Sequence, residues 1–338
     1  MLKTPLCDLF GIEVPIILAP MGTCTSAELA AAVSNEGGLG GIGSLFRTTA
    51  AIKRDIDMVR KLTSRHFAVN HIPQTLDAEA FRYTLEARPA VISFALSDPG
   101  DLVRQAHDVG SLVMLQVTTV AQAVQAAEGG VDVIIAQGGE AGGYCGEIST
   151  MALVPQVVDA VSPTPVVAAG GIFDGRGIAA ALMLGAVGVN LGTRFIASKE
   201  APAGDEWKQA IAEAESEDAI KVDILNDISP LPGTAGFHTV LRSLRTPFLD
   251  EWSAQPRHWE DEARKCGYSP DRALAHVRDV IARLPDEATQ LLAICKSERL
   301  TTGDVGALVD LLCARCSELA QLYGSEPMSP QQVRLPGL

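Results

Sequence analysis

Residues 165–195 read PVVAAGGIFDGRGIAAALMLGAVGVNLGTRF. Pro165 to Ile172 is an aliphatic, β-branched run of strand length, cut by a Gly-Gly pair. Arg176 to Leu184 then repeats apolar residues at helical spacing, with Asp174 placed to cap the helix and Gly185 to close it. Val187 to Phe195 is strand-like again. Strand, helix and strand in about thirty residues is the βαβ unit of a parallel sheet.

Working outward, the same alternation fills the chain upstream. Further strand runs are Ile16 to Met21, Leu39 to Ser44, His66 to Ile72, Ala90 to Ser97, Leu112 to Thr118 and Val131 to Gly138. Helical patterns separate them: one after Thr25 and Glu28, which stand as a capping-box pair, then Ala50 to Leu62, Asp77 to Ala87, Asp101 to Val109, Ala121 to Glu128 and Ser149 to Val161. Eight β-then-α units predict an α/β fold, a (β/α)8 TIM barrel, with a doubly wound open sheet as runner-up. The domain division expected is a barrel over 1–200, a closing helix and helical cap over 201–325, and a Pro-rich tail over 326–338. In the cap, 207–217, 270–284, 286–296 and 306–322 look helical, and no further β-alternation is evident.

Composition narrows function. The 338 residues carry a net charge of −14, and 47% are apolar while only 5% are aromatic. Without a basic stripe there is nothing to neutralise phosphodiesters or an anionic bilayer, so neither a nucleic-acid nor a membrane partner is expected. The longest nearly apolar stretch, 177–192, is broken by glycines and Asn190, so no transmembrane span is predicted. With no leader-like N-terminus and seven scattered cysteines, a cytoplasmic protein with reduced thiols is expected.

In such barrels chemistry sits at the C-terminal strand ends. There lie Met21 and Thr23, Asn70 and His71, Gln116, Gln137 with the glycine-rich segment to Tyr144, Gly170-Gly171, and Asn190-Leu191-Gly192-Thr193-Arg194. Glycines after the seventh and eighth strands let backbone N–H groups approach a phosphate. The interval between strand starts 131 and 165 is the longest, and its excess is QGGEAGGYCGE, whose backbone can lie flat against a planar ligand.

The motifs APMG (19–22), GGLG (37–40), VN (69–70), AQGGEAGG (136–143), AAGGI (168–172) and NLGTRF (190–195), in that order at strand ends, resemble the nitronate monooxygenases, formerly 2-nitropropane dioxygenases. These are FMN-dependent (β/α)8-barrel enzymes, and the resemblance covers about residues 5–200. It implies FMN as cofactor, with Met21 and Thr23 against the flavin and Asn70 and Gln137 hydrogen-bonded to it. Gly142 and Gly143 would approach the ring, and Gly171, Gly192 and Thr193 would bind the phosphate. Asn190 stands where the family often has Gln, and Gln116 and Leu191 complete the expected cofactor contacts.

One position departs from the pattern. The family usually reads EAGG-His-x-G with a catalytic histidine, and here Tyr144 stands in its place. A phenol with a pKa of about 10 is a poor base near neutral pH and a serviceable hydrogen-bond donor. An alkyl nitronate is already an anion and needs no base. Tyr144 and His71 are therefore the candidate catalytic residues, although adjacent strand residues face opposite ways, which weighs against His71. His238 could reach the pocket from the cap. Cys145 has no partner thiol and reads as a small passive residue, and the C-x-x-C at 313–316 lies in a helical run without a second ligand pair, so no metal is expected. Arg194 is suited either to the phosphate or to a rim ion pair.

The expected function is FMN-dependent oxidation of alkyl nitronates with O2. The alternative is an FMN-dependent NAD(P)H enoyl-thioester or quinone reductase, in which Tyr144 would clamp a carbonyl. A homodimer is compatible with the sequence, with Trp252 and Trp259 as candidate contacts.

Overall fold

In the computed structural model, which describes residues 2–222, 239–246 and 249–250, every one of the eight apolar runs becomes a strand. They are β1 (Ile16–Leu18), β2 (Gly40–Gly43), β3 (Phe67–His71), β4 (Val91–Phe94), β5 (Leu112–Val117) and β6 (Val133–Gln137), then β8 (Val166–Ala169) and β9 (Gly188–Leu191). A short extra strand, β7 (Gly143–Cys145), lies between β6 and β8 in the chain but outside this sheet. The parallel order is β1-β9-β8-β6-β5-β4-β3-β2. An Ile17–Leu39 bridge joins the two ends, with Leu18 N–H donating to Leu39 O and Leu39 N–H to Ile16 O, both at 2.9 Å. The sheet thus curls into a barrel rather than a doubly wound open sheet.

Helices follow the strands: α1 (Pro5–Phe10) before β1, then α2 (Ala27–Asn35), α3 (Thr49–Leu62), α4 (Ala78–Ala87), α5 (Leu102–Asp108), α6 (Val120–Glu128), α7 (Thr150–Val161), α8 (Gly175–Met183), α9 (Thr193–Ile196) and α10 (Asp205–Glu213). Capping chemistry sets several starts. Asp174 accepts from the Arg176 and Gly177 amides at 3.0 Å, as its sequence position suggests. The cap of α2 is Ser26, which accepts from Leu29 N–H, and not Thr25. The Thr25 hydroxyl instead donates to Gly22 O and accepts from Gly43 N–H, tying the loop after β1 to the end of β2.

Two clusters form the core. The outer one packs outward strand residues such as Ile42, Val69, Ile92, Leu115 and Val189 against the helices. The inner one fills the barrel with Ile17, Leu39, Ala68, Val91, Met114, Val133, Ile135, Val167 and Ala169, plugged from below by Leu6 and Phe10 of α1. Each large aliphatic or aromatic side chain so buried contributes about 1.5–3 kcal/mol. Gly188 is a glycine because a Cβ there would sit 2.4 Å from Leu6 Cδ2.

The structure departs from the sequence reading in three places. The last barrel strand ends at Leu191 rather than Phe195, because the chain after Gly192 turns into α9 and buries Phe195. The helix expected over 207–217 spans Asp205–Glu213. Beyond it the chain is not purely helical. β10 (Ala219–Lys221) and β11 (Val240–Leu244) form an antiparallel sheet with β7, in the order β10-β11-β7. The helices expected over 270–284, 286–296 and 306–322 lie outside the described residues, as do the tail, His238, Trp252, Trp259 and the C-x-x-C pair.

Candidate active site at the barrel mouth

Strand parity decides which side chains reach the mouth. Ala68, Val91, Met114 and Ile135 face the interior, so two residues on, Asn70, Ser93, Gln116 and Gln137 face it one layer higher. Gly188 abuts the interior Leu6, which puts Asn190 in the same layer. Asn70 donates through Nδ2 to Ser93 O at 3.3 Å and Oγ at 3.2 Å. Gln116 is half-buried beside them. Gln137 and Asn190 flank Ala169 in register, and they are 7% and 4% exposed. Among the described residues, Gln137 Oε1 and Asn190 Oδ1 are buried without a hydrogen-bond partner. A buried carbonyl oxygen left so costs about 1–3 kcal/mol, so these acceptors mark where a ligand N–H or O–H would be held.

Beyond Ala169, Gly170 and Gly171 take φ of +103° and +70°, a turn that L-residues with side chains rarely adopt. Thr150, at the start of α7, braces this turn. Its Oγ1 lies 2.8 Å from Glu140 Oε2 and 2.9 Å from Gly170 O, while its N–H donates to the same Glu140 carboxylate at 2.8 Å. Three loops converge opposite. A Cβ on Gly142 would stand 3.0 Å from Thr193 Oγ1, and one on Gly192 would stand 3.2 Å from Met21 Sδ. Thr23 is exposed on the 3-10 turn Gly22–Cys24. Leu191 offers no side chain here: it is buried in the outer cluster, and its carbonyl accepts from Ala19 N–H at 2.8 Å.

The glycine-rich segment is a clamped strand. Gly143, Tyr144 and Cys145 pair with Arg242, Leu241 and Val240. Arg242 Nη1 donates to Glu140 O at 2.8 Å, and Lys221 Nζ donates to Gly146 O at 2.7 Å and to Glu147 Oε2 at 2.8 Å. Two cations from beyond the barrel therefore hold both ends of the segment. Sequence reading missed them. The alternation Val240-Leu-Arg-Ser-Leu244 was the available signal, but so short a run gains meaning only beside its partner strand.

Tyr144 is half-buried and packs against Ile72, Ala95 and Leu96, which with Leu45 form an apolar wall at the ends of β2, β3 and β4. Burial pushes its phenol pKa above the ordinary value, which keeps it protonated and suits it to donating a hydrogen bond rather than to taking up a proton. Leu96 holds φ of +64° although it is no glycine, local strain of the kind that gathers at functional sites. Cys145 is fully buried, with Sγ 3.5 Å from Gly139 O and Val240 O, and burial raises its thiol pKa. That suits a passive residue.

His71 is a correction. Its ring lies on the other face of β3 from Asn70, with Nε2 2.9 Å from Thr84 Oγ1 of α4 and the ring edge-on to Phe81 at 5.2 Å. It is 1% exposed, and burial lowers its pKa to about 4. It packs between barrel and helix and cannot serve as the base. Among the described residues, no cluster of His, Cys, Asp and Glu could hold a metal ion, and no helix is long and apolar enough to cross a membrane.

A parallel eight-stranded barrel with polar residues ringing one mouth and glycine turns after its last strands is the frame of a TIM-barrel oxidoreductase. A family model described as nitronate monooxygenase matches residues 3–84 and 77–227. A Staphylococcus haemolyticus relative named "Probable nitronate monooxygenase" is 31% identical over 347 residues, covering 85% of this chain and 97% of its own. The chain belongs to the nitronate monooxygenase family. A Mycobacterium tuberculosis relative, "(3aS,4S,5R,7aS)-5-hydroxy-7a-methyl-1-oxo-octahydro-1H-indene-4-carboxyl-CoA dehydrogenase", is 38% identical over 216 residues. That match spans 63% of this chain and only 61% of the relative's length. Among solved structures, FabK from Thermotoga maritima has a TM-score of 0.77 and 29% identity, covering 96% of this chain and 99% of that one.

Proposed function

We propose that the chain binds FMN across the barrel mouth and oxidises small alkyl nitronates with O2. The observation that carries this reading is the pair of buried, unpartnered acceptors, Gln137 Oε1 and Asn190 Oδ1, beside a left-handed glycine turn after β8. A flavin ring offers N–H to such acceptors, and a flavin phosphate suits amides at such a turn. The residues present therefore fit the group. Asn70, Gln116, Gln137 and Asn190 would face the ring system, Met21, Gly142 and Gly143 would line its plane, and Gly171, Gly192 and Thr193 would receive the phosphate. When bound, FMN supplies the electron-accepting chemistry that no side chain here can provide.

The chain's own residues do the rest. Leu45, Ile72, Ala95 and Leu96 offer an apolar wall for an alkyl chain and exclude water from it. Tyr144, kept protonated by burial, orients an oxygen of the substrate by donating to it. No described side chain at the mouth is placed as a proton-abstracting base, which suits an anionic nitronate better than a neutral nitroalkane.

A second reading has its own support. The Mycobacterium tuberculosis relative acts on a carboxyl-CoA, and a phenol donor above an apolar wall equally suits the carbonyl of an acyl thioester or a quinone. NAD(P)H would then be the electron donor. Anaerobic titration of the FMN-loaded protein separates the two. Bleaching of the flavin band by ethylnitronate or propionate 3-nitronate is expected. Rapid bleaching by NADH or NADPH with no response to any nitronate would reject the first reading in favour of the second.

A further inference from the structure

Arg194 is 8% exposed, and among the described residues its guanidinium makes no hydrogen bond or ion pair; its Nε is buried without an acceptor. The rim ion pair that its sequence position allowed is not made among the described residues. Asp174, the carboxylate that acts on it, is already committed to Arg176 and to two amides of α8. Burial lowers the Arg194 pKa only to about 10, so the group is a cation at neutral pH. An isolated buried cation is costly enough that folded proteins almost always pair it. Arg194 directly follows Gly192-Thr193, and Asp174 lies three residues beyond Gly171, so the charge belongs to the same two loops that offer amides to an anion.

Resting on the flavin reading, we infer that Arg194 is the buried counter-charge for a phosphate monoester held between the loops after β8 and β9, and that it makes the site discriminate FMN from riboflavin. A guanidinium with unused N–H groups matches phosphate oxygens in geometry and charge. A cation placed there acts on the phosphate alone and leaves the ring contacts untouched.

The test measures Kd for FMN and for riboflavin in the full-length protein and in Arg194→Gln and Arg194→Lys. The unsubstituted protein is expected to prefer FMN by about 100-fold or more. Arg194→Gln should cut that preference about tenfold or more through FMN alone, with riboflavin changing less than about twofold, and Arg194→Lys should fall between. Parallel weakening of both flavins would assign Arg194 a purely structural role and overturn the inference, as would unchanged FMN binding. Riboflavin binding doubles as a check that the mouth has formed, and Arg194→Lys carries the test should the Gln variant not fold. If the unsubstituted protein binds neither flavin, thermal shifts with inorganic phosphate decide. A stabilisation that Arg194→Gln abolishes keeps the phosphate site and rejects the flavin reading, whereas no stabilisation rejects both.

Discussion

Across the mouth of the barrel, the rim at the ends of β6, β8 and β9 is built of glycine amides, acceptors without a partner among the described residues and a buried guanidinium, while the rim after β2, β3 and β4 is built of Leu45, Ile72, Ala95 and Leu96. The first kind of surface recognises polar atoms at set positions. The second kind recognises volume and excludes water. A cofactor whose structure does not vary suits the first rim, and a substrate that differs between relatives suits the second. Tyr144 bridges them, since its strand belongs to the glycine-rich segment while its ring leans on the apolar wall.

That contrast can be broken most severely at the polar rim. Gly171→Val would put a branched side chain at φ +70° against Glu140, and the strain of about 3 kcal/mol predicts at least a 100-fold rise in the Kd for FMN by fluorescence titration. An unchanged Kd would mean that the turn does not hold the cofactor. Gln137→Leu should act with opposite signs on two quantities. Removing a buried acceptor raises the Tm of the cofactor-free protein, and losing that acceptor weakens FMN about tenfold. A drop in both would make Gln137 a structural residue instead.

Smaller effects are expected elsewhere. Leu96→Ala should raise KM for the best substrate about tenfold in steady-state assays and leave FMN affinity within twofold, as expected if the two rims are separable. Arg242→Ala frees Glu140 O, so amide exchange over residues 139–147 should quicken by about tenfold while the barrel strands stay protected.

The least effect at the mouth belongs to His71→Gln. Because the folded protein holds His71 neutral, with a pKa lowered from 6.5 to about 4, the unfolded chain takes up a proton in that window that the native state does not. Stability is therefore whole above about pH 6.5 and declines as pH falls toward 4, by up to roughly 3 kcal/mol. In urea titrations at pH 4.5 and 7 the Gln variant should lose this difference, and its kcat/KM should keep the pH profile of the unsubstituted protein. A flattened profile would return His71 to the chemistry.

Much of this architecture was legible beforehand because its causes are local. Aliphatic runs of strand length, Asp174 before α8, and Gly170-Gly171 after β8 each carry their physical reason within a few residues. Errors arose where two acceptable local solutions competed. Thr25 and Ser26 can both cap α2, and Ser26 won because the Thr25 hydroxyl is engaged by Gly22 and Gly43. Gly143 to Cys145 look like loop in the sequence because nothing nearby shows that Val240 to Arg242 will pair with them.

By itself, the sequence determined the barrel, the strand ends that form its candidate site and the absence of the usual histidine at 144, because periodicity and residue type are properties of the chain alone. Tertiary structure decided the facing of His71, the clamping of the Tyr144 strand by Arg242 and Lys221, and the isolation of Arg194. Each of these depends on residues brought together from distant parts of the chain. Whether a side chain is paired, buried or aimed at a ligand is decided by neighbours that only folding supplies.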